Sequence, residues 1–205
     1  MKKLLIVLAV FCCIPALAQN MENDTIQLKE VLIKNKRPKI RQTRFTSICT
    51  AYEKLFGKYE MVTLVDDLPK GYLQSVTFTF NKKASRKDKG GFEDTEIELV
   101  FYEVTPQGKP GNRIDHLQKK VLVPGDFSGK MEIDLASIAI RNEGKIYIGI
   151  KKGEKGDKPN AAFEVNCTCG IYDDYISYAR FDETKSWAKK TFTSAFKMRV
   201  KVAAD

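Results

Sequence analysis

The sequence predicts an all-β protein built as an antiparallel sandwich, and three features of the chain carry this prediction. Short runs rich in Val, Ile, Phe, Tyr and Thr follow one another between residues 59 and 202. Several of these runs alternate apolar and polar residues, and turns rich in Gly, Pro and Lys separate them. No long amphipathic helical pattern stands between the runs, so neighbouring strands are expected to pair antiparallel.

Residues 1–18 have the features of a secretory signal peptide. Lys2 and Lys3 precede an apolar run at residues 4–14, and the small-residue triplet Ala-Leu-Ala follows at 16–18. The apolar run is shorter than the ~18 residues that a membrane-spanning helix requires, so no transmembrane segment is predicted. The sequence therefore predicts an exported protein, located in the periplasm or at the cell surface of a Gram-negative bacterium.

Residues 19–57 are predicted to form an N-terminal strand, or arm, and a basic linker. Apolar and polar residues alternate over 26–33, which predicts one short strand. A basic run at 34–41, interrupted by Pro38, predicts an exposed linker. Within residues 46–56 apolar side chains recur at helical spacing, which favours a short helix or turn.

Residues 58–205 are predicted to form the sandwich as a single domain. In several strands an apolar series alternates with a polar one, which predicts one face in the core and one face in water. The predicted strands are 59–65, 73–81, 95–104, 117–123, 129–134, 145–151, 162–167, 171–178 and 195–202.

The connections between these strands carry the residues that tight turns require. Gly, Pro, Asn and Asp are concentrated at 105–111, 124–126 and 142–144, which predicts a turn at each place. The Lys- and Gly-rich stretch 151–158 is predicted to be a hairpin loop.

Two parts of the chain resemble known modules. The runs TEIELVFYEVTPQGKPGNRIDHL, KMEIDLASIAI and KIYIGIKKG resemble a jelly-roll β-sandwich module of exported Bacteroidetes proteins. The arm DTIQLKEVLIKNK is similar to the end of the carboxypeptidase-like regulatory domains of the same bacteria. The resemblance implies an antiparallel jelly-roll β-sandwich in the bacterial cell envelope, and it implies no peptidase activity.

The net charge favours anionic partners only weakly. The formal charge of +9 falls to +7 when Lys2 and Lys3 leave with the signal peptide, and the remaining lysines are spread over several loops. The basic runs are not interleaved with the aromatic residues that single-strand binders use for stacking, and an exported protein rarely meets nucleic acid. Nucleic acid is therefore not predicted as a partner.

Cys49, Cys167 and Cys169 remain once the signal peptide is removed. On a strand, Cys167 and Cys169 would point to one face, which is a poor arrangement for bonding each other and leaves either open to a bridge from Cys49. An odd number of cysteines outside the cytosol also leaves a thiol over. The three are candidates for one disulfide, and burial without a bridge is the alternative.

No catalytic residue, metal site or cofactor is predicted. The single histidine, His116, adjoins Asp115, but neighbours on a strand point to opposite faces, so Asp115 would not orient it. The carboxylate pairs at 66–67 and 173–174 are adjacent in sequence and are interpreted as solvated turns. No nucleophile elbow, zinc-binding helix motif or P-loop is present.

A cluster of aromatic and acidic residues near the C-terminus is the candidate ligand site. Sugar rings stack on flat apolar faces while polar groups bind their hydroxyls, and Tyr172, Asp173, Asp174, Tyr175 and Trp187 supply both kinds of group. The sequence thus predicts a non-catalytic module that binds a glycan or an envelope protein. The alternative is an enzyme, or an enzyme accessory, acting on envelope polysaccharide.

Overall fold

A computed structural model describes residues 39–44, 50–54, 60–81, 94–114, 118–152, 164–169, 175–190 and 193–205. They form two antiparallel sheets packed face to face. The first sheet contains β1 (Lys39–Arg44), β2 (Ala51–Lys54), β4 (Gly71–Asn81), β8 (Gly129–Asp134), β9 (Arg141–Asn142), β11 (Glu164–Cys169), β14 (Thr193–Phe196) and β15 (Met198–Ala204). The second contains β3 (Glu60–Val65), β5 (Thr95–Val104), β6 (Pro110–Arg113), β7 (Lys119–Val123), β10 (Ile146–Lys152), β12 (Ser177–Arg180) and β13 (Ala188–Lys189). The prediction of an all-β antiparallel sandwich is confirmed.

The strand order brings distant parts of the chain together. In the first sheet the order is β1-β15-β4-β11-β14, with β8 and β9 also paired to β4 and β2 paired to β11. In the second sheet the order is β13-β12-β3-β10-β5-β6, with β7 paired to β5. Because β15 lies between β1 and β4, the C-terminal strand is an interior strand of its sheet.

The main core lies between the two sheets and is rich in aromatic side chains. Phe78 of β4 and Phe196 of β14 meet edge to face, with ring centroids 5.5 Å apart. Met61, Phe101 and Ile148 of the second sheet belong to the same buried cluster. Full burial of each such side chain contributes about 1.5–3 kcal/mol, so this layer is the main source of the fold's stability.

A second apolar cluster covers the outer face of the second sheet. It consists of Val62, Val100, Tyr102, Tyr147 and Tyr178, all buried, with Trp187 packed against them. For β5, the prediction that an alternating strand has one face in the core and one in water is therefore wrong, since residues 97–102 are all buried. The segment that follows β12 carries Trp187 back over this face, and sequence alternation alone does not reveal such a cover.

The predicted strands agree with the structure over most of the chain. The ranges 95–104 and 129–134 are β5 and β8 with the same bounds. The range 195–202 is divided at Lys197 into β14 and β15. At this break the backbone N–H of Phe196 donates to Oγ1 of Thr63 at 2.9 Å, which joins the first sheet to the second.

The N-terminal region differs from its prediction. Residues 39–44, of which 39–41 belong to the basic run interpreted as an exposed linker, pair along their whole length with β15. Residues 51–54, interpreted as helix or turn, pair with β11. Both partners lie more than a hundred residues away, so local spacing could not indicate them. The compact unit that contains both sheets runs from Pro38 to Asp205. The strand predicted at 26–33 and the signal peptide lie outside the described residues.

The turn predictions are confirmed in part. Residues 124–126 form a turn in which the Phe127 N–H donates to the Pro124 carbonyl at 2.9 Å. The turn predicted at 105–111 ends earlier, because Pro110 already begins β6. Of the loop predicted at 151–158, Lys151 and Lys152 belong to β10, and the rest lies outside the described residues.

Candidate functional site

The structure describes two residues of the predicted ligand cluster, and it separates them. Tyr175 is half-buried and packs against the main core between the sheets. Trp187 packs against the cluster on the outer face of the second sheet. Tyr172, Asp173 and Asp174 lie outside the described residues, so a ligand role for the cluster stays a prediction.

The described residues do not test the predicted disulfide. Cys167 is fully buried in β11, and its Sγ donates to the Val165 carbonyl oxygen at 3.7 Å. Cys49 and the side chain of Cys169 lie outside the described residues, as does His116. The proposed bridge therefore stays a prediction.

Trp187 covers a buried polar network of Glu60, Tyr102 and Arg180. Arg180 donates from Nε to the Glu60 carboxylate at 2.7 Å and from Nη2 to the Tyr102 hydroxyl at 2.8 Å. The Tyr102 hydroxyl in turn donates to Glu60 Oε1 at 2.7 Å. The indole ring lies over the Arg180 guanidinium, 4.5 Å from its central carbon, and meets the Tyr102 ring edge to face.

The electrostatics of this network are those of a closed structural site. Burial raises the pKa of Glu60, and the hydrogen bond from Tyr102 and the charge of Arg180 oppose this shift without cancelling it. Burial also raises the pKa of the Tyr102 hydroxyl, with the Glu60 charge adding to the effect. Since both oxygens of Glu60 are hydrogen-bonded, the network holds its own groups together rather than offering them to a ligand.

A second set of ion pairs continues along the same face. Glu98, which is buried, pairs with Arg113 of β6 and with Lys151 of β10, the latter at 3.7 Å. Lys151 also pairs with Glu183 at 3.3 Å, which links the segment after β12 to the sheet. These contacts help to hold the Trp187 segment in place over the second cluster.

An open cleft of about 790 Å³ lies where three connections meet at one end of the sandwich. These are the connection between β3 and β4, the turn between β5 and β6, and the connection between β9 and β10. The lining residues are Asp66, Asp67, Leu68, Glu103, Val104, Thr105, Pro106, Gly108, Ile114, Arg141, Glu143, Gly144, Lys145 and Ile146. Local sequence patterns predict turns in these connections but do not indicate that the connections converge.

Hydrogen bonds between the connections shape the cleft. Asn142 is buried, its side chain donates to the Pro69 carbonyl at 2.9 Å, and it accepts from the Gly144 N–H at 3.1 Å. The Tyr147 hydroxyl donates to the Gly108 carbonyl at 2.6 Å. Thr43 of β1 donates to the Asp67 carbonyl at 3.0 Å. The cleft is therefore largely preformed, as small-molecule sites usually are.

The cleft combines an apolar floor with a charged rim. Leu68 and Ile146 are buried in its floor. The rim carries four acidic residues, Asp66, Asp67, Glu103 and Glu143, against the two basic residues Arg141 and Lys145. Asp66 and Asp67 are exposed, as expected for the solvated turn that the sequence predicts. The rim is thus acidic, although the chain as a whole is basic.

Arg141 is the most constrained cation of this rim. Its Nε donates to Glu143 at 2.6 Å and its Nη2 donates to Asp205 at 3.0 Å, while its guanidinium lies 5.6 Å from the centre of the Tyr72 ring. The hydrogen bond from Arg141 lowers the pKa of the exposed Glu143 carboxyl, which therefore stays ionised. The guanidinium is held in one orientation beside an exposed aromatic ring.

The described residues contain no group of three His, Cys, Asp or Glu side chains placed to hold a metal ion. Within the same residues, no helix has the length and apolarity needed to cross a membrane.

Comparison with known proteins shows similarity at the level of the fold. No family model matches the chain, and no curated protein matches it either. One similar structure holds the cysteine protease and lectin-like domains of Cwp84, a surface layer associated protein of Clostridium difficile, with a TM-score of 0.52 and 14% identity over 83% of this chain. A second is clostridial Cwp84 after propeptide cleavage, with a TM-score of 0.51 and 14% identity over 82% of this chain. The chain spans 37% and 41% of those two chains.

Proposed function

We propose that this chain is an exported, non-catalytic β-sandwich module that binds a glycan in the cleft at the end of the sandwich. The observation that carries the proposal is the cleft itself, which is preformed, has an apolar floor and has a rim of acidic and basic side chains. The carboxypeptidase-like regulatory class suggested by the N-terminal arm is a compatible proposal, because it too denotes a β-sandwich without catalysis.

The chemistry of the cleft suits a hydroxyl-rich ligand. Carboxylates such as Glu103 accept hydrogen bonds from hydroxyl groups, and the Arg141 guanidinium donates to hydroxyl or ring oxygens. Val104, which is half-buried, and Pro106, which is exposed, also line the cleft and offer an apolar surface to the C–H face of a sugar ring. A structural neighbour that contains lectin-like domains gives the glycan proposal further support.

The proposed location rests on the N-terminal sequence. The basic residues, apolar run and Ala-Leu-Ala triplet of residues 1–18 support export. The description of a structural neighbour as a surface layer associated protein agrees with an extracellular role. An envelope glycan would be within reach of a protein at that location.

Glycan-array binding followed by calorimetry on cleft variants tests the proposal. We expect Glu103→Gln and Arg141→Gln each to weaken binding about tenfold, the loss expected for one hydrogen bond to a charged group. Asp126→Asn and Lys185→Gln are matched controls, since they change the same kinds of charge outside the cleft. Equal affinity in all four variants would place the ligand elsewhere, and cleavage of a bound polysaccharide would favour the enzymatic alternative.

A further inference from the structure

The outer face of the first sheet carries two arginines side by side. Arg44 of β1 lies directly opposite Arg199 of β15, and Arg199 lies opposite Thr77 of β4. Directly opposed residues on antiparallel strands project from the same face, and like charges in that position destabilise the pairing. Since Arg44 is exposed and Arg199 is half-exposed, both guanidinium groups can be reached from solvent.

The neighbouring groups leave this positive charge in excess. Glu132 of β8 lies opposite Thr77; its carboxylate binds Lys201 at 2.6 Å and Ser75 at 2.6 Å, and it also interacts electrostatically with Arg199. One carboxylate thus faces three cations, Arg44, Arg199 and Lys201. When the Gln42 side-chain amide is turned so that its oxygen faces Arg44, that oxygen accepts from Nε and Nη2 of Arg44 at 2.7 and 3.1 Å. These bonds hold the guanidinium without neutralising its charge. The Thr77 hydroxyl is buried in the same row and has no hydrogen-bond partner among the described residues.

An apolar row lies beside these cations on the same face. Ile40 of β1 and Tyr72 of β4 flank Ala203 of β15, and they are 55% and 42% exposed. At about 3.4 Å per residue, Ile40 lies roughly 14 Å along β1 from Arg44. The Tyr72 ring contacts Arg141, which lines the cleft, so this face is continuous with the proposed site.

We propose that this face, formed by Ile40, Arg44, Tyr72 and Arg199, binds an anionic stretch of polysaccharide. Paired guanidinium groups bind carboxylate or sulfate oxygens through charge-assisted and bidentate hydrogen bonds. The exposed Tyr72 ring takes the apolar face of a sugar unit farther along the strand. The proposal rests on the proposed function for its choice of a glycan, whereas the site rests on the first sheet's own residues.

Polysaccharide fits this face better than nucleic acid does. Base readout in a DNA duplex uses a helix or a two-stranded ribbon that enters the major groove. A broad sheet face has no such projection, and it would contact the phosphates of a duplex only along one line. An extended polymer strand can instead lie along the strands and contact the basic and apolar rows together.

Binding of the exported chain to dextran sulfate and to alginate tests the proposal, with neutral dextran and duplex DNA as further probes. We expect the Arg44→Gln/Arg199→Gln variant to bind the two anionic polysaccharides at least about tenfold more weakly. Lys120→Gln/Lys185→Gln removes the same charge away from this face, and should bind as the unchanged protein does. Arg44→Lys/Arg199→Lys keeps the charge but loses the guanidinium fork, so its affinity for the anionic polysaccharides should lie between those of the two double glutamine variants.

The outcomes separate this proposal from that for the cleft. Retained binding in Glu103→Gln with loss in Arg44→Gln/Arg199→Gln supports the sheet face whether or not the cleft binds a glycan. Equal losses in the two double glutamine variants would show that overall charge alone attracts the polymers, and would overturn the proposal. Tighter binding of DNA than of either polysaccharide, or no binding to either, would also overturn it.

Discussion

At the residue scale, Glu60 combines full burial with an ion pair to Arg180 and a hydrogen bond from Tyr102. Burial penalises the charged carboxylate more than these partners favour it, so its pKa in the folded protein lies above the ordinary value of 4.5. A raised folded-state pKa means that the folded state holds the proton more tightly than the unfolded state does. The contribution of Glu60 to stability is therefore fully present below pH 4.5 and is lost as the pH rises through the raised pKa.

We expect the Glu60→Gln variant to lack this pH dependence, because its side chain does not titrate. The free energy of unfolding of the unchanged protein, minus that of Glu60→Gln, should fall by up to about 1.4 kcal/mol per pH unit above pH 4.5. Urea unfolding at a series of pH values measures this difference. A difference that rises with pH would show that the attraction to Arg180 outweighs the cost of burial.

Glu143 is the matched control for the sign of this effect. It is exposed, and the hydrogen bond from Arg141 lowers its pKa. Its contribution to stability is therefore present above its ordinary pKa and is lost as the pH falls through the lowered one. The corresponding difference for Glu143→Gln should change with pH in the opposite direction to that for Glu60→Gln.

At the element scale, β10 lies between β3 and β5 in the second sheet, and the backbone of β3 approaches it closely at Gly149. Gly149 lies between Val62 of β3 and Val100 of β5. A Cβ atom added at Gly149 would lie 2.1 Å from the Met61 carbonyl oxygen and 2.6 Å from Cγ1 of Val62. The absence of a side chain there allows the strands to pack at this spacing.

We expect Gly149→Ala to destabilise the protein by about 3 kcal/mol, because the strands must move apart to admit the methyl group. Gly108→Ala is the control: its φ of 72° strains alanine, but no atom lies within 4 Å of the added Cβ. That control should cost only about 1 kcal/mol. Thermal melting of both variants compares them, and equal losses would contradict the argument from close packing.

Two strands have both bounds predicted correctly, β5 and β8. In each, the apolar residues that face the main core recur at every second position, at 97, 99 and 101 in β5 and at 131 and 133 in β8. β1 and β2 were missed because their residues are polar or of mixed pattern and owe their conformation to β15 and β11. The two-residue strands β9 and β13 are too short to leave a pattern in the sequence.

The candidate sites were less predictable than the strands. Trp187 and Tyr175 are close in sequence, yet they pack on different faces of the second sheet, because Tyr175 precedes β12 and the segment that follows β12 carries Trp187 back over the outer face. The cleft is assembled from connections that lie far apart in the chain. One of them is fixed by Thr43, in a strand that begins within the basic run predicted to be a linker. A site of this kind follows from topology, which local patterns do not encode.

At the scale of the whole molecule, the first and the last described strands, β1 and β15, contribute unequally to the stability of the fold. Among the described strands, β1 lies at the edge of its sheet, and its side chains are exposed except for the half-buried Thr43. β15 lies between β1 and β4, and buries Met198, Val200 and Val202 in the main core. Burial of those three side chains alone contributes roughly 5–9 kcal/mol at about 1.5–3 kcal/mol each. That sum is comparable with the ~5–15 kcal/mol by which whole domains are stable.

We therefore expect a chain that ends at Lys197 to lose cooperative folding, whereas a chain that begins at residue 45 keeps it. Loss of β15 removes core side chains, exposes an edge of β4 and leaves β1 without a partner. Loss of β1 removes mainly exposed side chains and the Thr43 contact to the cleft, so we expect a lower melting temperature but an intact sandwich. Far-UV circular dichroism with thermal melting distinguishes the two, and fluorescence of the single tryptophan, Trp187, reports whether the second cluster still forms. A sharp melting transition in the chain that ends at Lys197 would show that the remaining strands close the core without β15.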